Sequence, residues 1–350
     1  MKLSEIKLEP LLDTLRMEKI DDSVYFGSPV YKNRISNSRL GLLNPKQGGS
    51  PEKFFSGFKA SFNSSFALGS AVHEQILQPH LFKLAEDTGK PTAKMGGMAD
   101  ELYDLYCQGE ISDNDIIKAS DKVEYYKGKM TKDRIAEVRE KCSTYWAIRY
   151  KYELNIEDTR EVRFLDYPML EKAKSCIESL QSNKLVMDLL HPKGIIEDPI
   201  SECEQAILLD MKATMPDGRE VILHLKAKLD NFTIDTESNV IKINDVKTHG
   251  QMLNTFDESK VKYHYNREIA LYMYLLGLIA KKEYNMELPK KQANYLVVST
   301  VPNFYSKVVP VSMREIRTGF LEFTQLLRYS AYLMCYKGYS LDEQPGKFKF

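Results

Sequence analysis

Apolar and polar positions along this chain follow two different periods. In SSFALGSAVHEQILQ, residues 64–78, Ala67, Ala71, Ile76 and Leu77 fall roughly on one side at helical spacing, and Pro79 ends the pattern, so the spacing predicts a helix there. From about residue 95 to 190 the pattern remains helical and strongly charged, as in MADELYDLYC, TKDRIAEVREKCSTYWAIRYKYEL and YPMLEKAKSCIESLQSNKLVMDLL. The character then changes. EQAILLDMKA, VILHLKAKLDNFTID and VIKINDVKT are apolar runs of strand length separated by the turns MPDGRE and TESN, which predicts three consecutive strands in a meander. A helix over YHYNREIALYMYLLGLIAKKEY, a strand at ANYLVVSTV and an amphipathic helix over residues 312–337 follow. Residues 1–60 read as a mixed, turn-rich segment, with loop signals in SPVYKNRISNS and LLNPKQGGSPEKF. The order of helix, three strands, helix, strand, helix is that of an α/β core, with a long helical insertion at about 80–195 before its first predicted strand.

Composition narrows the class. Of the 350 residues 43% are hydrophobic and 28% charged, enough for a large buried core. Lys+Arg and Asp+Glu both number 49, so the net charge is zero; a histone-like basic wrapper is excluded, while a locally basic channel is not. Five scattered cysteines (Cys107, Cys142, Cys176, Cys203, Cys335) with no C-x-x-C argue against a disulfide framework, a zinc knuckle or an iron–sulfur cluster. No G-x-x-x-x-G-K-[ST] string supports a nucleotide cofactor. Residues 1–22 carry no apolar signal region, and no run approaches the ~18 apolar residues of a membrane span, so a cytoplasmic location is expected.

Candidate chemistry lies between Leu225 and Thr248. Asp230 follows the apolar strand VILHLKAKL, and fifteen residues later Asp245-Val246-Lys247 ends the strand VIKIN. Side chains at i and i+2 share a strand face, so Asp245 and Lys247 are expected to face one site with Asp230 beside them. Carboxylates are the hard oxygen ligands that Mg²⁺ prefers, and a neighbouring lysine positions water or stabilises phosphoryl charge. Alone, [DE]-x-K is weak: such strings also begin at Glu5, Asp210 and Glu258. Asp210-Met211-Lys212 is the serious rival, but it has no acidic strand end before it to pair with. His73 alone reads as an ordinary helix histidine. Glu268 and Tyr272, an i, i+4 pair on the helix after the third strand, alone read as an amphipathic face.

Taken together, Gly69 and His73 in G-x-x-x-H, the strand-end Asp230, D-x-K-T at Asp245–Thr248 and the Glu268–Tyr272 spacing resemble the PD-(D/E)xK nuclease superfamily, and more narrowly its RecB-type branch. Ile35–Leu40 (ISNSRL), Ala67–Glu74 (ALGSAVHE) and Leu77–Pro79 are similar to the opening of exonuclease VIII-like phage recombination exonucleases. The resemblance spans about residues 30 to 300. It implies a restriction-endonuclease-like core, a central mixed sheet flanked by helices, over residues 61–350. It implies metal ligation by His73, Asp230, Asp245 and the backbone carbonyl of Val246, with Glu204 as a further acidic candidate and Lys247 as the catalytic lysine. Mg²⁺, with Mn²⁺ substituting, is the implied cofactor. The implied activity degrades one strand of double-stranded DNA from an end in the 5′→3′ direction, in a homo-oligomer working with a single-strand annealing protein, in a phage host's cytoplasm. The family usually has Gln where this chain has Glu268. Phosphate contacts would be sequence-independent. Their candidates are Lys226 and Lys228, sharing the strand face of Asp230, with Lys262 and Arg267 after the site and Lys53 and Lys59 before the first helix; Thr248, Glu268 and Tyr272 would support the site. A structure-specific or nonspecific endonuclease on the same core is one alternative. An inactive nuclease fold serving in DNA binding or assembly is another, against which the intact Asp230, Asp245 and Lys247 argue.

Overall fold

The computed structural model describes residues 2–57, 64–87, 89–153, 158–194 and 197–341, with the backbone alone for residues 64 and 65. Lys59, a candidate phosphate contact, lies outside the described residues. The chain divides into two compact units, Met1–Leu77 with Cys176–Phe350, and Gln78–Ser175. Among the described residues the strands, in chain order, are β1 (Lys7–Lys19), β2 (Phe82–Glu86), β3 (Glu161–Leu165), β4 (Ile200–Thr214), β5 (Glu220–Asp235), β6 (Val240–His249), β7 (Lys290–Ser299) and β8 (Ser306–Pro310).

In the first unit, six strands form one sheet in the order β1-β4-β5-β6-β7-β8. All neighbours are antiparallel except β6 and β7, which run parallel. A parallel pair needs a crossover, and the helix Tyr265–Tyr284 lies within it. Its Ile269, Met273, Leu276 and Ile279 bury against Ile207, Leu209, Leu225, Ile241 and Ile243 of the sheet. The helix Met313–Lys337 joins the same core through Phe323, Leu327 and Ala331. Gly319 permits this packing, because a Cβ there would lie 2.0 Å from the Asn266 carbonyl oxygen. From another direction Ser179 accepts from the Ser306 hydroxyl, Asn183 donates to the same hydroxyl, and the Leu189 carbonyl accepts from Asn244. The result is a mixed α/β fold, a six-stranded sheet flanked by helices.

The meander β4–β5–β6 follows the apolar runs read from the sequence. The segment 1–60 differs from expectation, since it contributes β1, a strand of 13 residues. Pro10 hides it, being a poor central-strand residue; β1 is an edge strand, where a missing N–H costs nothing to a neighbour. The second unit also departs from an all-helical reading, because β2 and β3 pair in parallel within it. Its helices Ala93–Cys107, Asp113–Lys122 and Lys132–Glu153 share a core of Met98, Leu102, Ile116, Val138 and Trp146. No helix among the described residues is long and apolar enough to cross a membrane.

Candidate metal and catalytic site

The site arises where two paired strands separate. β5 pairs with β6 from Asn231↔Asn244 to Asp235↔Val240. Before that point β5 stays with β4 back to Glu220, and after it β6 stays with β7 as far as His249. A row of buried amides closes the pairing just short of the split. Asn294 Nδ2 donates to Asn244 Oδ1 (3.0 Å), Asn244 Nδ2 to Asn231 Oδ1 (2.8 Å), and Asn231 Nδ2 to Ser201 Oγ (3.1 Å). One residue beyond Asn231 and Asn244 stand Asp230 and Asp245, one on each strand. The Val246 N–H points into the gap and donates to Asp230 Oδ2 at 2.8 Å.

The core-facing alternation of β5 changes phase around Asp230. Core-facing positions of β5 are Leu223, Leu225, Ala227 and Leu229, then Phe232 and Ile234. The alternation therefore shifts by one residue between Leu229 and Phe232, the stretch that contains Asp230. Opposite it on β4, Glu204 adopts φ +57°, a left-handed conformation that costs a residue with a Cβ about 1–2 kcal/mol. The register skips the Glu204–Asp230 pair between Cys203↔Asn231 and Gln205↔Leu229. Strain of this kind concentrates at functional sites.

His73, on the helix Ser64–Leu77, completes the group. Its Nδ1 lies 3.4 Å from Asp230 Oδ2. The glycine four residues earlier lets this helix approach β6, since a Cβ on Gly69 would stand 3.3 Å from Thr248 Oγ1. One ligand atom from each of His73, Glu204 and Asp230 lies within 4.8 Å of the others. Burial lowers the His73 pKa, an effect strengthened by Lys247 and partly offset by nearby carboxylates and a hydrogen bond to the Val246 backbone, so the ring is a neutral nitrogen donor. Burial raises the Asp230 and Asp245 carboxyls, and the Lys247 charge only partly offsets it. Asp245 is 1% exposed, and its Oδ2 lies 2.8 Å from Lys247 Nζ. One imidazole and clustered carboxylates fit a hard divalent cation.

Lys247 sits beside this group. Its Nζ is 2.8 Å from Asp245 Oδ2, 3.2 Å from Glu268 Oε2 and 5.0 Å from the centroid of Tyr265. Burial by itself would lower its pKa, but Asp245, Glu268 and Asp230 outweigh burial and hold it well above the ordinary lysine value. Tyr272 Oη donates to Glu268 Oε1 at 3.1 Å, so the i, i+4 pair fixes the carboxylate that faces the lysine.

Other expected contacts are placed differently. Lys226 and Lys228 both precede this change of phase on β5. Lys226 is 5% exposed, donates to the Tyr25 carbonyl at 2.7 Å and is pushed down to about 8 by burial, so it is not presented to a phosphate. Lys228 pairs with Asp22 and, at 2.7 Å, with Glu204. Arg267 is 1% exposed and spends its guanidinium on Asn37, Gln47 and Glu322, which removes it from any DNA surface. Lys53 donates to Gly48, and Lys262 is exposed over the Tyr263 ring. In the rival string, Asp210 pairs with Arg34 and His224, and Lys212 with Glu9 and Glu220. Sequence reading missed Tyr265 and the Asn231–Asn244–Asn294 row; an Asn directly next to each strand-end Asp, after Asp230 and before Asp245, was the available signal for the row's first two members.

No family model and no curated protein matches the chain. Among solved structures, a protein from Eubacterium rectale named provisionally as an exonuclease is 10% identical, covering 90% of this chain and 86% of that one at a TM-score of 0.45. A protein from Vibrio cholerae is also 10% identical, covering 89% of this chain and 63% of that one at a TM-score of 0.14. Likenesses this distant assign neither fold family nor activity, and the reading of this chain rests on its site.

Proposed function

We propose that this chain is a divalent-metal-dependent deoxyribonuclease that degrades one strand of double-stranded DNA from an end. One observation carries the proposal: where β5 and β6 part, a His–Glu–Asp group within 4.8 Å adjoins a lysine held between two carboxylates. The motifs at Gly69–His73, Asp245–Thr248 and Glu268–Tyr272 supply the narrower terms of the proposal. These are the PD-(D/E)xK class, Mg²⁺ with Mn²⁺ substituting, 5′→3′ direction, a homo-oligomer, and a recombination role beside a single-strand annealing protein in the cytoplasm.

His73, Glu204, Asp230 and Asp245 would hold the cation, with the Val246 carbonyl as a further donor. A bound Mg²⁺ supplies Lewis-acid polarisation of a phosphate and a water of lowered pKa. Lys247 offers its ammonium to the charge that builds on the phosphate in the transition state. Glu268 keeps that ammonium protonated and aimed, and Tyr272 keeps Glu268 in place. Lys228 holds the Glu204 carboxylate at the edge of the group.

The test is incubation with linear and covalently closed duplex DNA of equal length, in Mg²⁺ and in excess EDTA. Loss of the linear form alone, abolished by EDTA, is the expected result. Equal loss of both forms moves the activity to an endonuclease on the same core. Undiminished cleavage in EDTA refutes the metal role, and DNA binding without any cleavage assigns a binding protein built on a nuclease-like site.

A further inference from the structure

Beside Lys247 an aromatic stack runs outwards to solvent. Tyr265 is anchored inwards, its centroid 6.0 Å from those of both Phe256 and Tyr295. Tyr263 lies on Tyr265 with centroids 5.7 Å apart and planes 27° from parallel, and is 48% exposed. Cations stand at both ends of the pair: Lys247 Nζ is 5.0 Å from the Tyr265 centroid and Lys262 Nζ 5.2 Å from that of Tyr263. Side chains two residues apart on a helix do not face each other. These two meet because His264 between them takes φ +55°, a left-handed conformation. The bend is fixed by His264 Nδ1 against Glu322 at 2.7 Å, and Glu322 is itself gripped by Arg267 and Asn44. A half-exposed ring adds little to a core, yet a strained backbone and a partly buried polar network hold it in register with the catalytic lysine.

We propose that Tyr263 is the outer platform of a nucleobase-stacking subsite for the strand being degraded, with Lys262 meeting a backbone phosphate beside it. The inference rests on the nuclease reading and extends it to a substrate contact. The alternation of cation, ring, ring and cation matches a ligand in which flat bases alternate with anionic phosphates. Ring stacking accepts any base, so the subsite grips without reading sequence.

The test uses duplexes carrying one abasic residue at successive positions from the end, bound in Ca²⁺ and followed by fluorescence anisotropy. Wild type, Tyr263→Ala and Tyr263→Trp are compared, with equal melting temperatures as the check on folding. Tyr263→Ala should weaken binding to intact DNA about 5- to 150-fold, and Tyr263→Trp should retain affinity. The alanine penalty should vanish at one abasic position, where the stacking partner is already missing. Equal affinity of Tyr263→Ala and wild type for intact DNA, or the same penalty at every abasic position, overturns the subsite. Wild-type protein that neither binds nor cleaves DNA refutes the nuclease reading, and the subsite with it; cleavage by wild type alongside an unaffected Tyr263→Ala refutes the subsite alone.

Discussion

Replacing Lys247 with alanine removes the cation that Asp245 and Glu268 share, and two separable losses follow. The first is catalytic. A single electrostatic group acting on transition-state charge is worth about 10²–10³ in rate, so single-turnover cleavage should fall by that factor. The second is structural. Breaking a buried ion pair by deleting one partner costs about 3–5 kcal/mol when the remaining charge cannot escape. Asp245 has an escape, since burial already raises its carboxyl and loss of the ammonium raises it further. A raised carboxyl favours folding where it is protonated and loses that advantage as pH rises through its folded pKa. The stability loss should therefore be about 2–3 kcal/mol at pH 8 and smaller at pH 6. Lys212→Ala is the control, because its partners Glu9 and Glu220 stand 3.4 and 3.6 Å away on an exposed strand face, and rate and stability should hardly change. The assay is quenched-flow cleavage of end-labelled linear duplex in Mg²⁺, well below each variant's melting temperature, with thermal melts at both pH values. Intact cleavage in Lys247→Ala together with lost cleavage in Lys212→Ala would place the active site on the wrong strand, and the roles given to Asp230 and His73 would fall too.

Asp230→Asn should abolish the Mg²⁺-induced rise in melting temperature. In EDTA it should also flatten the fall in wild-type stability as pH rises from 5 to 8, because the raised Asp230 carboxyl favours the folded state when protonated; thermal melts across that range decide it. Arg267→Ala should destabilise by about 2–4 kcal/mol by emptying a buried site and removing its bonds to Asn37, Gln47 and Glu322, while the salt dependence of DNA binding stays unchanged; a shallower salt slope would return Arg267 to the DNA surface. Gly319→Ala should destabilise by at least about 3 kcal/mol, measured by denaturant melts, because the new Cβ would meet backbone atoms of the neighbouring helix that cannot yield.

The sequence carried the parts of this fold that obey regular periods. Apolar runs and turn residues located β4, β5 and β6, and the two-residue period on β6 placed Asp245 and Lys247 together. The same period does not run unbroken along β5. The core-facing alternation changes phase between Leu229 and Phe232, and that change leaves no mark in residue type. β1 was hidden by Pro10, whose restriction matters in a central strand and not at an edge. β2 and β3, of five residues each, are too short for a period to show inside a charged helical stretch. Arg267 was misread because composition favours exposed arginines, whereas its neighbours Asn37, Gln47 and Glu322 come from segments far apart in the chain.

The parting of β5 and β6 divides the sheet into two leaves of three strands, hinged along the five residue pairs from Asn231 to Asp235. Glu204 and Asp230 ride on one leaf, Asp245 and Lys247 on the other, and the amide row lies beside the hinge like a pin. A cation held by both Asp230 and Asp245 would therefore tie the two leaves together across their open end.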